Sequence, residues 1–182
     1  PEKIPIEGKI VDVAIGGEHT LLVDEFGNIY GCGSNVVGQL GLGTTEKTSV
    51  PTMIDGLASV TSASAGHSHS VFMTDNGIYF MGSNEFGQLC DNTNGENVLT
   101  PSTLDIPGIE SATHFEAIKS SSYILYTDGS VSGCGNNEFG QLGDGTSFDR
   151  VLSLVQLDGV AKFLGIGPSA ESVFFVTDDE LV

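Results

Sequence analysis

The sequence predicts an all-β chain, a partial β-propeller of four-stranded antiparallel blades, about three and a half of them. Three observations carry that prediction. Glycine supplies 25 of the 182 residues, about twice ordinary usage, and each glycine disfavours a helix by about 1 kcal/mol. Hydrophobic residues still make up 39% of the chain, enough for a core and too many for an acidic disordered segment. The third observation is an internal repeat: Gly38-Gln39-Leu40, Gly87-Gln88-Leu89 and Gly140-Gln141-Leu142 stand 49 and 53 residues apart. A unit near fifty residues is the length of a propeller blade, whereas a β-solenoid usually repeats over fewer residues.

The elements of one unit follow in order. Residues 11–15 alternate Val, Asp, Val, Ala, Ile and read as a strand; 20–23 are apolar and run into a turn near Gly27; 29–32 form a third strand and 52–54 a fourth. The block GGEHTLLVDEFGNIY from Gly16 returns as GHSHSVFMTDNGIYF from Gly66, more loosely as SSYILYTDGSVS from Ser121, and in part as SVFFVTDDELV from Ser172. Boundary glycines fall at Gly8, Gly56, Gly108 and Gly159. The chain is thus expected to be one partial propeller with units at about 8–55, 56–107, 108–158 and an incomplete 159–182. No stretch of ten or more residues carries helical periodicity, no apolar run approaches the roughly 18 residues of a membrane span, and no signal peptide opens the chain. The first residue is Pro1, so an excerpt or a processed product is expected. Such a piece leaves the ring open, and closure is expected from the remainder of the same polypeptide or from a second copy in a homodimer.

Three longer blocks carry a family resemblance: GCGSNVVGQLG from Gly31, MGSNEFGQLC from Met81 and GCGNNEFGQLG from Gly133, each preceded by a His-Ser/Thr or Ser-Ser start, an apolar run and an acidic-Gly turn. The chain resembles the regulator of chromosome condensation repeat family over essentially its whole length. That resemblance implies a seven-bladed propeller and a surface for protein partners. Members of the family include a guanine-nucleotide exchange factor for the Ran GTPase, domains of giant ubiquitin ligases, a plant ultraviolet-B photoreceptor and bacterial inhibitor proteins, so the fold does not settle the function. The third-strand position that is often tryptophan in the family is Cys32, Met81 and Cys134 here, and there is no tryptophan at all, which excludes a tryptophan-based photoreceptor for this segment. The second-strand histidine is kept as His19 and His69 and is expected to be replaced by Ser122 and Ser172.

Sites that resemble chemistry are accounted for by the repeat. On a strand His67 and His69 would face one side, but no third ligand has a matching spacing, so no metal is expected and a repeated packing or hydrogen-bonding role is assigned to His19 and His69. The glycine-rich blocks lack GxxxxGK[ST] and recur three times, as tight turns do. The run Asp91-Asn92-Thr93-Asn94-Gly95-Glu96 has no acidic residue at the twelfth position of a calcium loop. No GxSxG elbow is present, so no catalytic residue and no cofactor is expected. Cys90 stands where Gly41 and Gly143 do and reads as a tolerated substitution in a turn. All three cysteines are expected to be buried free thiols in a reducing compartment, cytoplasmic or nuclear.

What varies is the loop after each Gly-Gln-Leu, at 44–49, 92–99 and 146–150, which occupies one phase of the repeat and hence one rim. Glu46, Lys47, Asn94, Glu96, Asn97, Phe148, Asp149 and Arg150 form the expected partner-contact set. Six basic against 24 acidic residues, net charge −18, leave no basic face for DNA or RNA and no membrane is expected as partner; the charge suits solubility or a basic protein such as a histone tail. The leading expectation is a non-catalytic protein-interaction module, and the alternative is nucleotide exchange on a Ran-like small GTPase.

Overall fold

The computed structural model describes residues 6–147 with their side chains and the backbone of 151–157, 160–164 and 174–177. Three four-stranded antiparallel sheets follow one another along the chain. Blade 1 holds β1 (Ile10–Ile15), β2 (His19–Asp24), β3 (Ile29–Gly33) and β4 (Thr48–Met53). Blade 2 holds β5 (Val60–Ala65), β6 (His69–Thr74), β7 (Gly77–Gly82) and β8 (Val98–Thr103). Blade 3 holds β9 (Ala112–Ile118), β10 (Ser121–Tyr126), β11 (Val131–Gly135) and β12 (Val151–Leu157), and β13 (Val160–Leu164) pairs with β14 (Phe174–Thr177). A 3₁₀ turn, Ile109–Ser111, precedes blade 3. The strands of each sheet pair in sequence order, as in a propeller blade, so the chain is a partial β-propeller. Among the described residues no helix is long and apolar enough to cross a membrane.

Each strand forms for a local reason. Asp24 closes the β2–β3 turn by accepting from the N–H groups of Phe26 and Asn28 at 2.9 Å, and Gly27 takes the φ of +77° that an L side chain resists. The fourth strand starts earlier than the sequence suggests, at Thr48 instead of residue 52. Pro51 and the polar residues around it hide it: proline cannot donate to a ladder and is tolerated on an outer strand. The register accordingly slips, with Gly33 opposite Thr48 and Gly31 opposite Thr52, and β8 repeats this around Pro101 with Gly82 opposite Val98.

The core lies between blades. Leu21, Ile29, Leu40, Phe72 and Met81 pack blade 1 on blade 2, and Phe80, Leu89, Phe115, Ile124 and Cys134 pack blade 2 on blade 3. The leucine of each Gly-Gln-Leu is wholly buried, which contributes about 1.5–3 kcal/mol apiece. One expectation is corrected here. Cys90 and Cys134 are not free thiols but are joined in a disulfide, with Cα atoms 5.5 Å apart, and only Cys32 is free and partly exposed. Forty-four residues separate the pair in sequence; the packing of blade on blade brings them together.

Candidate protein-interaction rim

Two amides lock each block that follows a third strand. Buried Asn35 accepts from the Leu40 N–H at 2.8 Å and donates from Nδ2 to the Thr44 carbonyl at 2.9 Å. Asn84 does the same for the Leu89 N–H at 3.1 Å and Thr93 Oγ1 at 2.9 Å, and Asn137 for the Leu142 N–H at 3.0 Å and Asp144 Oδ1 at 3.2 Å. Gln39, Gln88 and Gln141 accept through Oε1 from the N–H two residues earlier, on Val37, Phe86 and Phe139. These bonds spend the polar groups of the block on itself, so the repeated motif is a turn scaffold and its variable loop leaves from a fixed base. Gly38 is required there: its φ is +82°, and a Cβ on it would stand 2.8 Å from Leu99 Cα of the next blade.

A second device ties blades together. His19 Nε2 and Ser70 Oγ lie 2.9 Å apart, and Ser70 Oγ–H donates to the Gln39 carbonyl at 2.7 Å. One blade on, His69 Nε2 and Ser122 Oγ lie 2.8 Å apart, and Ser122 donates to the Gln88 carbonyl at 2.6 Å. Because each serine proton is spent on a carbonyl, the network assigns the proton of each ring to Nε2. Nδ1 is then a bare acceptor, and neither His19 Nδ1 nor His69 Nδ1 has a partner. Burial first, and the nearby His67 second, lower the His19 pKa to about 4; burial and then His19 lower that of His69 to about 3. The strand registers also correct an alignment. His19, His69 and Ser121 stand opposite Gly33, Gly82 and Gly135, so Ser121 takes the histidine position and Ser122 is the hydroxyl that receives the preceding blade's histidine. Ser172 lies outside the described residues.

His67 and His69 do not face the same way. β6 begins at His69, leaving His67 exposed in the turn before it. Among the described residues no group of three His, Cys, Asp or Glu side chains is placed to hold a metal.

Glu46 and Lys47 are exposed between the Asn35-held turn and β4; Asn94, Glu96 and Asn97 are exposed between the Asn84-held turn and β8. Both loops leave from the same end of their blades, and the Gly43 N–H donates to the Leu99 carbonyl at 2.9 Å across the blade boundary. Thr48 and Ser49, expected in the first loop, belong to β4, and Val98 and Leu99 belong to β8. Phe148, Asp149 and Arg150 lie outside the described residues. A depression of about 630 Å³ beside the first loop is lined by Glu18, Ser34, Val36, Lys47, Thr48 and Ser49. Sequence reasoning passed over Glu18 and Val36, although Val36, 67% exposed, stands where the other blocks carry Glu85 and Glu138. Glu18, Glu46, Glu85, Glu96 and Glu138 are exposed in the turns and loops at this end of their blades, and Glu18 lines the same depression as Lys47.

Comparison with known proteins agrees with this architecture. Two models of the regulator of chromosome condensation (RCC1) repeat match residues 10–39 and 27–73. A zebrafish (Danio rerio) Protein RCC2 homolog is 32% identical over 128 residues, 69% of this chain and 26% of that protein. The Xenopus laevis regulator of chromosome condensation is 33% identical over 152 residues, 79% of this chain and 34% of that protein. The crystal structure of Prp20p from Saccharomyces cerevisiae, described with its binding properties to Gsp1p and histones, superposes with a TM-score of 0.80 at 25% identity, covering 98% of this chain and 46% of that one. The chain therefore spans about a third or less of the two sequence relatives. Amide-locked Gly-Gln-Leu turns, repeated blade by blade in an all-β chain that matches these proteins, make it a member of the regulator of chromosome condensation repeat family.

Proposed function

We propose that the chain is a non-catalytic protein-interaction module, acting in the cytoplasm or nucleus, whose rim loops engage a basic protein. One observation supports this above the others: the asparagine and leucine of each turn block repeat and are buried, while Glu46, Lys47, Asn94, Glu96 and Asn97 differ from blade to blade and are exposed. Binding residues are commonly carried on variable loops held by a rigid scaffold. Phe148, Asp149 and Arg150 complete the proposed set by their phase in the repeat. The carboxylates of this rim give a cationic partner a faster approach and a preferred orientation.

A second reading is nucleotide exchange on a Ran-like small GTPase, supported by the likeness to the Xenopus regulator over 79% of this chain. Two measurements on purified proteins separate the readings. In the first, a cationic histone-tail peptide is titrated against the chain and against E46K/E96K; the double reversal is expected to weaken binding at least tenfold, and unchanged affinity would remove the loops from the interface. In the second, release of labelled nucleotide from the GTPase is followed with and without the chain. Acceleration of release by the chain would favour the exchange reading.

A further inference from the structure

We propose that Cys90 and Cys134 form a reversible thiol–disulfide lock that sets how firmly the loop at 91–97 is held against the neighbouring blade. The lock occupies a contact that the propeller makes at each described blade boundary. The residue after Gly-Gln-Leu in one blade meets the third strand of the next: a Cβ on Gly41 would lie 2.1 Å from Met81 Sδ. One blade on, the same two positions are Cys90 and Cys134, with Cα atoms 5.5 Å apart. Both halves of the contact have changed together, from glycine and methionine to a bonded pair.

The backbone at Cys90 points the same way. Gly41 and Gly143 take φ of +63° and +73° at this phase, and Cys90 takes +61°. An L side chain is unfavourable there, yet this is the side chain that carries Sγ to Cys134. When the bond is broken the unfavourable backbone remains and the tether is lost, so the reduced protein holds this turn less firmly.

What the tether holds is the base of a rim loop. Asp91 follows Cys90 directly, and its carboxylate accepts from the Thr93 N–H at 2.9 Å, Thr93 Oγ1–H at 2.7 Å and Asn84 Nδ2–H at 3.2 Å. This turn launches the exposed residues Asn94, Glu96 and Asn97. With the bond closed, the turn is fixed to β11 as well as to its own blade.

The chemistry balances with a small-molecule disulfide as oxidant. The thiolate of one cysteine attacks glutathione disulfide and expels one glutathione thiolate; the other cysteine then attacks the mixed disulfide and expels the second. The two cysteines lose two electrons and two protons, and glutathione disulfide is reduced to two glutathione thiols. Cys90 and Cys134 are 1% and 0% exposed, so exchange in either direction waits for the 91–97 turn to open. On the proposed cytoplasmic or nuclear reading, on which this inference rests, protein disulfides are usually transient, which is the behaviour of a lock that is set and released.

The test uses the full chain carrying C32S, so that no third thiol exchanges, equilibrated in oxidised or reduced glutathione. Three readouts are taken: peptide mapping without reductant, the melting midpoint, and amide hydrogen exchange at 91–97. Oxidised glutathione is expected to give a linked 90–134 peptide, a midpoint about 10 °C higher, and exchange at 91–97 slowed at least tenfold, all reversed by reduced glutathione. C90G/C134M rebuilds the Gly41–Met81 pair and is expected to respond identically to both buffers. Failure to recover the linked peptide, or a linked peptide with unchanged exchange at 91–97, overturns the proposal. Since the comparison is between two buffers on one protein, a double variant that fails to fold does not affect the decision.

Discussion

Removing the side chain of Asn84, itself 1% exposed, would strip the buried Leu89 N–H of its acceptor. An orphaned buried polar group costs about 1–3 kcal/mol, so Asn84→Ala is expected to lower the unfolding free energy by about 2 kcal/mol. Asn97→Ala, on the exposed loop, is expected to stay within about 0.5 kcal/mol of the parent. Urea denaturation of the two variants checks this, and equal effects would show that the amide cage does not hold the turn. The contrast also explains what was legible residue by residue. Asn35, Asn84 and Asn137 serve partners five to nine residues away, so their role leaves a repeated motif in the sequence. Glu18, Val36 and Lys47 come from three separate turns and meet only around the depression beside the first loop. No local pattern announces such a site, and only the phase of the repeat marked Lys47.

Between elements, the histidine relays make stability depend on pH. In the folded chain His19 and His69 donate through Nε2 and keep Nδ1 bare, so a second proton would be buried without an acceptor. Unfolded, each ring takes that proton below about pH 6.5. The lowered native values, about 4 and about 3, mean that the unfolded state binds more protons over the interval between. Stability is therefore complete above about pH 6.5 and falls as the pH drops toward 4. From pH 7 to pH 5 the loss is expected to be about 2 kcal/mol per histidine, before most carboxylates titrate. Urea midpoints at half-unit pH steps measure it, and H69Q should remove about half of the slope; a flat profile from pH 7 to pH 5 would show that the rings are not held neutral. The histidine position of the third unit was misaligned by one residue in the sequence, because Ser121 and Ser122 adjoin and only their pairing with Gly135 and Cys134 distinguishes them. Strands β4 and β8 were shortened for a related reason: an outer strand with proline and one ladder has little apolar alternation to display. The Cys90–Cys134 bond was hidden because its contact belongs to the boundary between two units.

At the scale of the whole molecule, one charge imbalance has two consequences of opposite sign. A net charge of −18 on 182 residues repels itself in the compact state. Raising ionic strength from about 0.01 M to about 0.15 M shortens the screening length from about 30 Å to about 8 Å. The melting midpoint is then expected to rise by a few degrees, since about 1 kcal/mol of relieved repulsion shifts a chain of this size by about 2–4 °C. Attraction between the acidic rim and a cationic partner is screened by the same ions, so binding of the histone-tail peptide should weaken over the same range. Measuring both on one preparation separates two causes of lost binding. If affinity falls while the midpoint rises, the rim loses its partner as an intact fold, and charge is what held it. If affinity and midpoint fall together, salt is unfolding the blades, and the lost binding is a loss of fold, not of charge attraction at the rim.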